Sequence, residues 1–332
     1  MRISSSIKIQ RLILAVSLVL FGCKLWAWWL THSAAILTDA LESIVNVIAG
    51  FMGLYALRFA ARPPDANHPY GHGKIEFVSA AIEGTLILAA GLLTIYQAVY
   101  QLLHPLPLER LDIGMLLTGF TGIVNYLVGA FALQRGKKAR SATLSAAGQH
   151  LRTDALSSAL LVAGVSLVYF TGLIWIDSLV ALAFAAFIIR AGYKVIRTSV
   201  AGIMDETDEK LLQELVNLLE QNRKPVWIDL HNLRLIQYGH VLHVDAHLSL
   251  PWYLQVKDAD DEIRALEDLT RQHFGGKVEL FLHVDGCRYF QCHICAVQDC
   301  PVRAHPLNQL IPWNVTNVMR NVKHGKDDWE AR

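Results

Sequence analysis

Apolar residues crowd the first two hundred positions and thin out after them. Six runs, at residues 12–30, 35–59, 77–103, 113–133, 144–170 and 174–196, each approach or exceed the roughly 20 apolar residues that cross a bilayer. The pattern then changes. Residues 206–221 place Leu211, Leu212, Leu215, Leu218 and Leu219 at helical spacing behind an acidic start. Two strands follow at 227–238 and 240–250, joined at Gly239, then a helix at 258–274 and a strand at 277–284. The order αββαβ predicts a small α+β domain with its helices on one sheet face. Residues 301–332 are polar without periodicity and are expected to be weakly ordered. The expected fold is therefore a six-helix membrane domain (1–200), an α+β domain (201–286) and a Cys-rich tail (287–332).

Composition sharpens this picture. Of 332 residues, 53% are hydrophobic and 18% charged, which suits a chain half in lipid and half in water. Arg2, Lys8 and Arg11 precede the first run as in a signal peptide. No small-residue cleavage site follows, and a second apolar run comes at once, so the run reads as a span. Lys and Arg gather on one side of the spans: Arg58, Arg62, Lys74, Arg135, Lys137, Lys138, Arg140, Arg190, Lys194 and Arg197. The opposite loops, at 31–33, 104–110 and 171–175, hold only Arg110. The positive-inside rule puts both termini in the cytoplasm of a multi-pass inner-membrane protein. A net charge of +1 offers no footprint for nucleic acid. Five cysteines, mostly at the cytoplasmic end, argue for thiols or metal ligands over disulfides.

Against that background a few polar residues stand out. His150 and Asp154, four apart, share a helix face inside an apolar segment, where ionisable groups are costly and usually functional. A helix-end capping or interfacial pair is the alternative. Asp39, Glu42 and Asn46 share another face in the second run. Asn46 could serve as interhelical glue, but a buried carboxylate at Glu42 must be paired, protonated or metal-bound. Lys24 in the first run reads equally as a packing residue. Glu83 sits among glycines that suit close helix packing, with no role assigned.

Three further clusters lie outside the spans. Asp65, His68 and His72 form D-x2-H-x3-H in a Pro- and Gly-rich loop and can supply three zinc ligands. Histidines recur on the strands at 231, 240, 243 and 247, and His283–Asp285 ends the last strand. Alternate strand positions share a face, so His243 pairs with His247 and His283 with Asp285. Finally, Cys287, Cys292, Cys295 and Cys300 make C-x4-C-x2-C-x4-C. Such thiol density suggests a metal, zinc before an iron–sulfur cluster, since the spacing matches neither common ferredoxin pattern.

LTDALESIVNV, DANHPYGHGKIE, HLRTD and the strand histidines with HVD together resemble the cation diffusion facilitator family of divalent-metal/proton antiporters. The likeness covers roughly residues 9–285. It implies six transmembrane helices, a cytoplasmic ferredoxin-like domain, a homodimer, and a transporter in place of an enzyme. It implies a transport site of Glu42, Asn46, His150 and Asp154, with Asp39 as a further candidate. It also implies a loop site of Asp65, His68 and His72, and a cytoplasmic site of His231, His247, His283 and Asp285. The pair E-x3-N departs from the D-x3-D or H-x3-D common in that family. Asn is an uncommon zinc ligand, and an oxygen-rich set also suits manganese or iron. Zinc is the first expectation for the cargo, with iron, manganese, cobalt and cadmium behind it. The Cys-rich tail lies outside the family pattern. Protons are the expected counter-ion, because ligands must be deprotonated to bind metal and imidazole titrates nearest neutral pH. On this reading Asp154→Ala stops transport and leaves the fold intact. The competing reading is a membrane-anchored metal sensor or redox protein centred on the tail. A channel, needing neither proton coupling nor a closed site, is a third.

Overall fold

The computed structural model describes residues 3–31, 34–103, 112–171, 175–239, 241–275 and 278–325. The opposite-side loops and His240 lie outside them. The chain forms two compact units, Met1–Met204 and Asp205–Arg332.

The first unit is helical: α1 (Ile3–Thr31), α2 (Ala34–Ala60), α3 (Ile75–Leu103), α4 (Asp112–Ala139), α5 (Ala142–Thr171) and α6 (Trp175–Ile203). Each contains one of the six apolar runs, except that residue 174 of the last lies outside the described residues. Among the described residues, Ser5–Trp26 and Ile75–Tyr100 are long and apolar enough to cross a membrane. Helices α3 and α6, α4 and α5, and α1 and α2 pack as close pairs. Small residues permit this, because without a hydrophobic drive between helices, packing depends on close backbone approach. A Cβ on Gly148 of α5 would stand 2.4 Å from the Leu133 backbone nitrogen of α4. A Cβ on Gly192 of α6 would stand 2.8 Å from the Leu88 nitrogen of α3. Trp26, Phe51, Leu93, Tyr96, Leu116 and Ile123 point outward and are exposed, an apolar exterior that water does not favour.

The second unit runs α7 (Glu209–Gln221), β1 (Asp229–Tyr238), β2 (Val241–Leu250), α8 (Val256–Phe274) and β3 (Val278–Gly286). The αββαβ order expected from the pattern is present. The sheet order is β1-β2-β3, antiparallel between β1 and β2 and parallel between β2 and β3. The first helix starts later than the expected 206 because Asp208 caps it. Its carboxylate accepts from the Lys210 and Leu211 backbone N–H groups at 2.9 and 3.3 Å, worth about 1 kcal/mol. Leu212, Leu215, Val216 and Leu219 of α7 and Leu266 of α8 close over Leu230, Leu235, Leu242, Val244 and Leu248 of the sheet. Gly275 ends α8 in the left-handed region, φ 81°, where glycine alone pays no Cβ penalty.

Residues 301–325 are not weakly ordered, contrary to expectation. Trp313 and Val318 are buried in the same core as α7 and the sheet. Arg223 lies 4.3 Å over the Trp313 ring and donates to the Ile311 carbonyl at 2.7 Å. A polar segment without periodicity is held by two apolar anchors and main-chain hydrogen bonds, which leave no periodic trace.

Candidate metal sites

Three of the four residues expected at the transport site converge between α2 and α5. Asn46 Nδ2 donates to Asp154 Oδ2 at 2.7 Å, and His150 Nε2 stands 3.7 Å from Asp154 Oδ1. His150 is buried, and its Nδ1 has no hydrogen-bond partner among the described residues. Gly148, one half-turn before His150, lets α5 sit against α4 and fixes the height of the pair. The side chains of Asp39 and Glu42 lie outside the described residues; Glu42 is one turn before Asn46 on α2. Asp154 is not an isolated charge: removing its carboxylate leaves the Asn46 amide unpaired, at a cost of about 1–3 kcal/mol. The expectation that Asp154→Ala leaves the fold untouched is therefore replaced by a modest destabilisation.

Two neighbouring polar residues find places in the packing. Lys24 is buried on α1 and donates to Ser43 Oγ of α2 at 2.9 Å, in keeping with its reading as a packing residue. Glu83 of α3 is 4% exposed, and its Oε2 has no hydrogen-bond partner among the described residues.

The loop residues also assemble. Asp65 Oδ1 accepts from the backbone N–H of His68 at 2.7 Å and of Asn67 at 2.9 Å, an Asx turn that shapes the loop. His68 Nδ1 is 3.1 Å from Asp65 Oδ1 and His72 Nε2 is 3.3 Å from Asp65 Oδ2. The His68 backbone bond, chiefly, holds the Asp65 carboxyl below the usual carboxylate range. Phe59 stacks edge-on against His72, at 4.7 Å. One donor from each of Asp65, His68 and His72 lies within 4.8 Å of the others.

The third group forms on the sheet. His231, His247 and His283 are register partners across β1, β2 and β3. His231 Nε2 and His247 Nδ1 stand 3.5 and 3.2 Å from Asp285 Oδ2, and these three donors lie within 4.8 Å of one another. His283 stands apart. Its ring stacks on His247 at 4.7 Å, but its Nε2 is 3.8 Å from Asp285 and the side chain is 66% exposed. On an edge strand it turns to solvent. His243 also lies elsewhere, opposite Glu279 at 3.1 Å; burial pushes its pKa down.

What the pattern missed is how this group is braced. Asp229 is buried, with Oδ2 at 3.2 Å from His231 Nδ1. It also accepts from the backbone N–H of His324 at 3.0 Å and meets the His324 ring. Burial opposes its ionisation, but His231 and His324 outweigh this and hold its carboxyl well below the usual range. Lys323 Nζ lies 3.1 Å from Asp285 Oδ1. Burial opposes ionisation there too, yet Lys323 and His247 leave Asp285 below its ordinary value. Asp229, two residues before His231, was legible as a same-face neighbour. Lys323 and His324 carried no signal, being far along the chain. A one-residue bulge between His231 and Arg234 places Asn232 at φ 52°, and its N–H donates to the Arg320 carbonyl at 2.7 Å. The bulge thus ties the tail to the strand that carries His231. Donors of this kind, imidazole and carboxylate, suit zinc and neighbouring divalent transition metals.

Comparison with known proteins accounts for both units. Residues 11–204 match the cation efflux transmembrane domain, and residues 207–287 match the cation efflux protein cytoplasmic domain. The chain belongs to the cation diffusion facilitator family. Among its relatives, a transporter of Synechocystis described as uncharacterized is 31% identical, over 79% of this chain and 85% of the relative. A cation-efflux pump FieF of Pectobacterium atrosepticum is 27% identical over 82% and 89%. The manganese efflux system protein MneP of Bacillus subtilis is 24% identical over 84% and 95%. As a cation diffusion facilitator, the chain is a membrane transporter for divalent metal efflux, not an enzyme. Its exposed aromatic and aliphatic exterior is the surface a bilayer covers.

Proposed function

We propose that this facilitator exports a divalent transition-metal ion, zinc first, in exchange for protons. The convergence of Asn46, His150 and Asp154 between α2 and α5 carries this reading. With Glu42 one turn below Asn46, two carboxylates and a neutral imidazole balance a 2+ charge, and the Asn46 amide oxygen or water completes the shell. A proton and the metal compete for the same groups. In the inward-facing state the groups lose protons and take metal; in the outward-facing state protonation releases it. Coupling requires the two states to differ in affinity.

Six membrane spans, both termini in the cytoplasm of an inner-membrane protein, follow from the one-sided Lys and Arg distribution. Asp65, His68 and His72 would hold a metal beside α2 and α3. His231, His247 and Asp285, with His283 adding a ligand from the edge strand, would hold one on the cytoplasmic domain. The unit is proposed to work as a homodimer with a ferredoxin-like cytoplasmic domain; exposed Phe281, next to the histidine row on β3, suits a subunit interface.

The test is proteoliposomes carrying a pH-sensitive dye, challenged in turn with zinc, manganese, iron(II), cobalt and cadmium. Metal-dependent proton movement in wild type, lost in Asp154→Asn, is the expected result. Metal flux without proton movement would reduce the protein to a uniporter or channel. Absence of flux with metal still bound would favour a sensor.

A further inference from the structure

Four cysteines lie from residue 287, where the family match ends, onward, three of them beyond it. Cys287 leaves β3; Cys292 lies in the 3-10 turn Tyr289–Ile294; Cys295 ends that turn; Cys300 follows six residues past Ile294. All four line one cavity of about 90 Å³, with Ile228, Trp252 and Arg303 among its walls. Burial, above all, pushes the Cys287 and Cys295 thiols up, and the backbone N–H groups of Trp252 and Val297 act on them in the opposite direction. Donors aimed at sulfur stabilise thiolate in metal sites. The Arg303 guanidinium donates to the carbonyls of Cys292, Cys295 and Val297, tying the loop together and adding positive charge beside it.

The surroundings also call for a staple. Around the cavity the apolar core is small: Ile228, Ile294 and Cys295, flanked by Cys287, Val297 and Ile311. A loop this poor in buried apolar surface and regular structure gains most from a cross-link or metal. All four cysteines are free thiols, as expected on a cytoplasmic domain.

We propose that Cys287, Cys292, Cys295 and Cys300 bind one zinc ion in a closed four-thiolate site that locks the loop onto the sheet. The sulfurs have not drawn in as far as the two histidine–aspartate groups, whose donors lie within 4.8 Å. Tetrahedral zinc needs them about 3.8 Å apart. A χ1 step moves a sulfur by up to about 3 Å, and the cavity leaves room for it. Zinc takes the place of the four thiol protons, which pass to solvent, and Arg303 offsets the surplus negative charge. No position is left open, so the ion is structural and never cargo. The consequence reaches the neighbouring site. Gln291, buried between Cys287 and Cys292, donates to Asp229 and Ser249 at 3.3 Å, and Asp229 braces His231.

The experiment uses the full-length protein in detergent under reductant. Zinc is quantified in wild type, in Cys292→Ser/Cys300→Ser, and in His247→Ala/Asp285→Ala. Wild type should hold about one more zinc per chain than the Cys variant. Cobalt substitution should give a sulfur-to-cobalt charge-transfer band that survives in the His/Asp variant and vanishes in the Cys variant. In wild type alone, so that folding of variants is not at issue, zinc should protect the four thiols from alkylation until a strong chelator is added. Alkylation at one rate with and without zinc overturns the proposal. So does a brown chromophore with iron and sulfide, or recovery of the four cysteines as disulfides.

Discussion

The membrane group at Asn46, His150 and Asp154 and the sheet group at His231, His247 and Asp285 use similar donors in different settings. Within the membrane unit Asp154 accepts from Asn46 and faces His150, both members of its own group. On the sheet a residue outside the group stands behind a ligand: buried Asp229 lies 3.2 Å from His231 Nδ1 and itself accepts from the His324 backbone N–H. Outer supports of this kind raise metal affinity. A site that must let go of its ion each cycle gains nothing from such bracing. A site that keeps its ion does. The difference suits cargo in one place and a resident metal in the other.

The comparison can be broken most sharply at Asp154. Asp154→Asn should cut metal-driven flux in proteoliposomes by on the order of 100-fold or more, since it removes a ligand outright, while zinc binding by the cytoplasmic domain is unchanged. Equal losses at both sites would erase the distinction. Next comes Asp229→Asn, expected to weaken zinc at the sheet group by about 10–100-fold and to leave the transport site's metal ranking unaltered. Equilibrium dialysis on full-length protein would read this.

Smaller effects sharpen it. Lys323→Met removes a cation that competes for Asp285. A partly exposed pair is worth about 0.2–1 kcal/mol, so zinc at the sheet group should tighten severalfold; unchanged affinity would mean that Lys323 does not compete. The smallest effect is on acid stability. Asp229 and Asp285 titrate below their ordinary value when folded. Their contribution is therefore complete above the unfolded value of about 4 and is lost as pH falls through the folded values. The protection of β1 and β2 amides, corrected for the intrinsic pH dependence of exchange, should be flat from neutral pH to about 4 and fall below it, less steeply in Asp229→Asn.

Helix and strand periods, the spacing H-x3-D, the D-x2-H-x3-H loop and the HVD strand end were readable because each is local. Residues three or four apart on a helix, or two apart on a strand, share a face whatever the rest of the chain does. That was enough to expect the αββαβ order and most members of each metal group. It failed where distant chain decides the outcome: the polar tail folds against the sheet.

By itself, then, the sequence determined the helical and strand elements, the change from apolar to polar half, and the candidate donors. Only the tertiary structure decided which donors meet. Asn46 finds Asp154 from 108 residues away, and His324 finds Asp229 from 95. Such pairings depend on how closely backbones can approach, as at Gly148 against Leu133, and on a single bulge that redirects β1. Periodicity records which face a residue occupies; packing between elements determines what stands opposite that face.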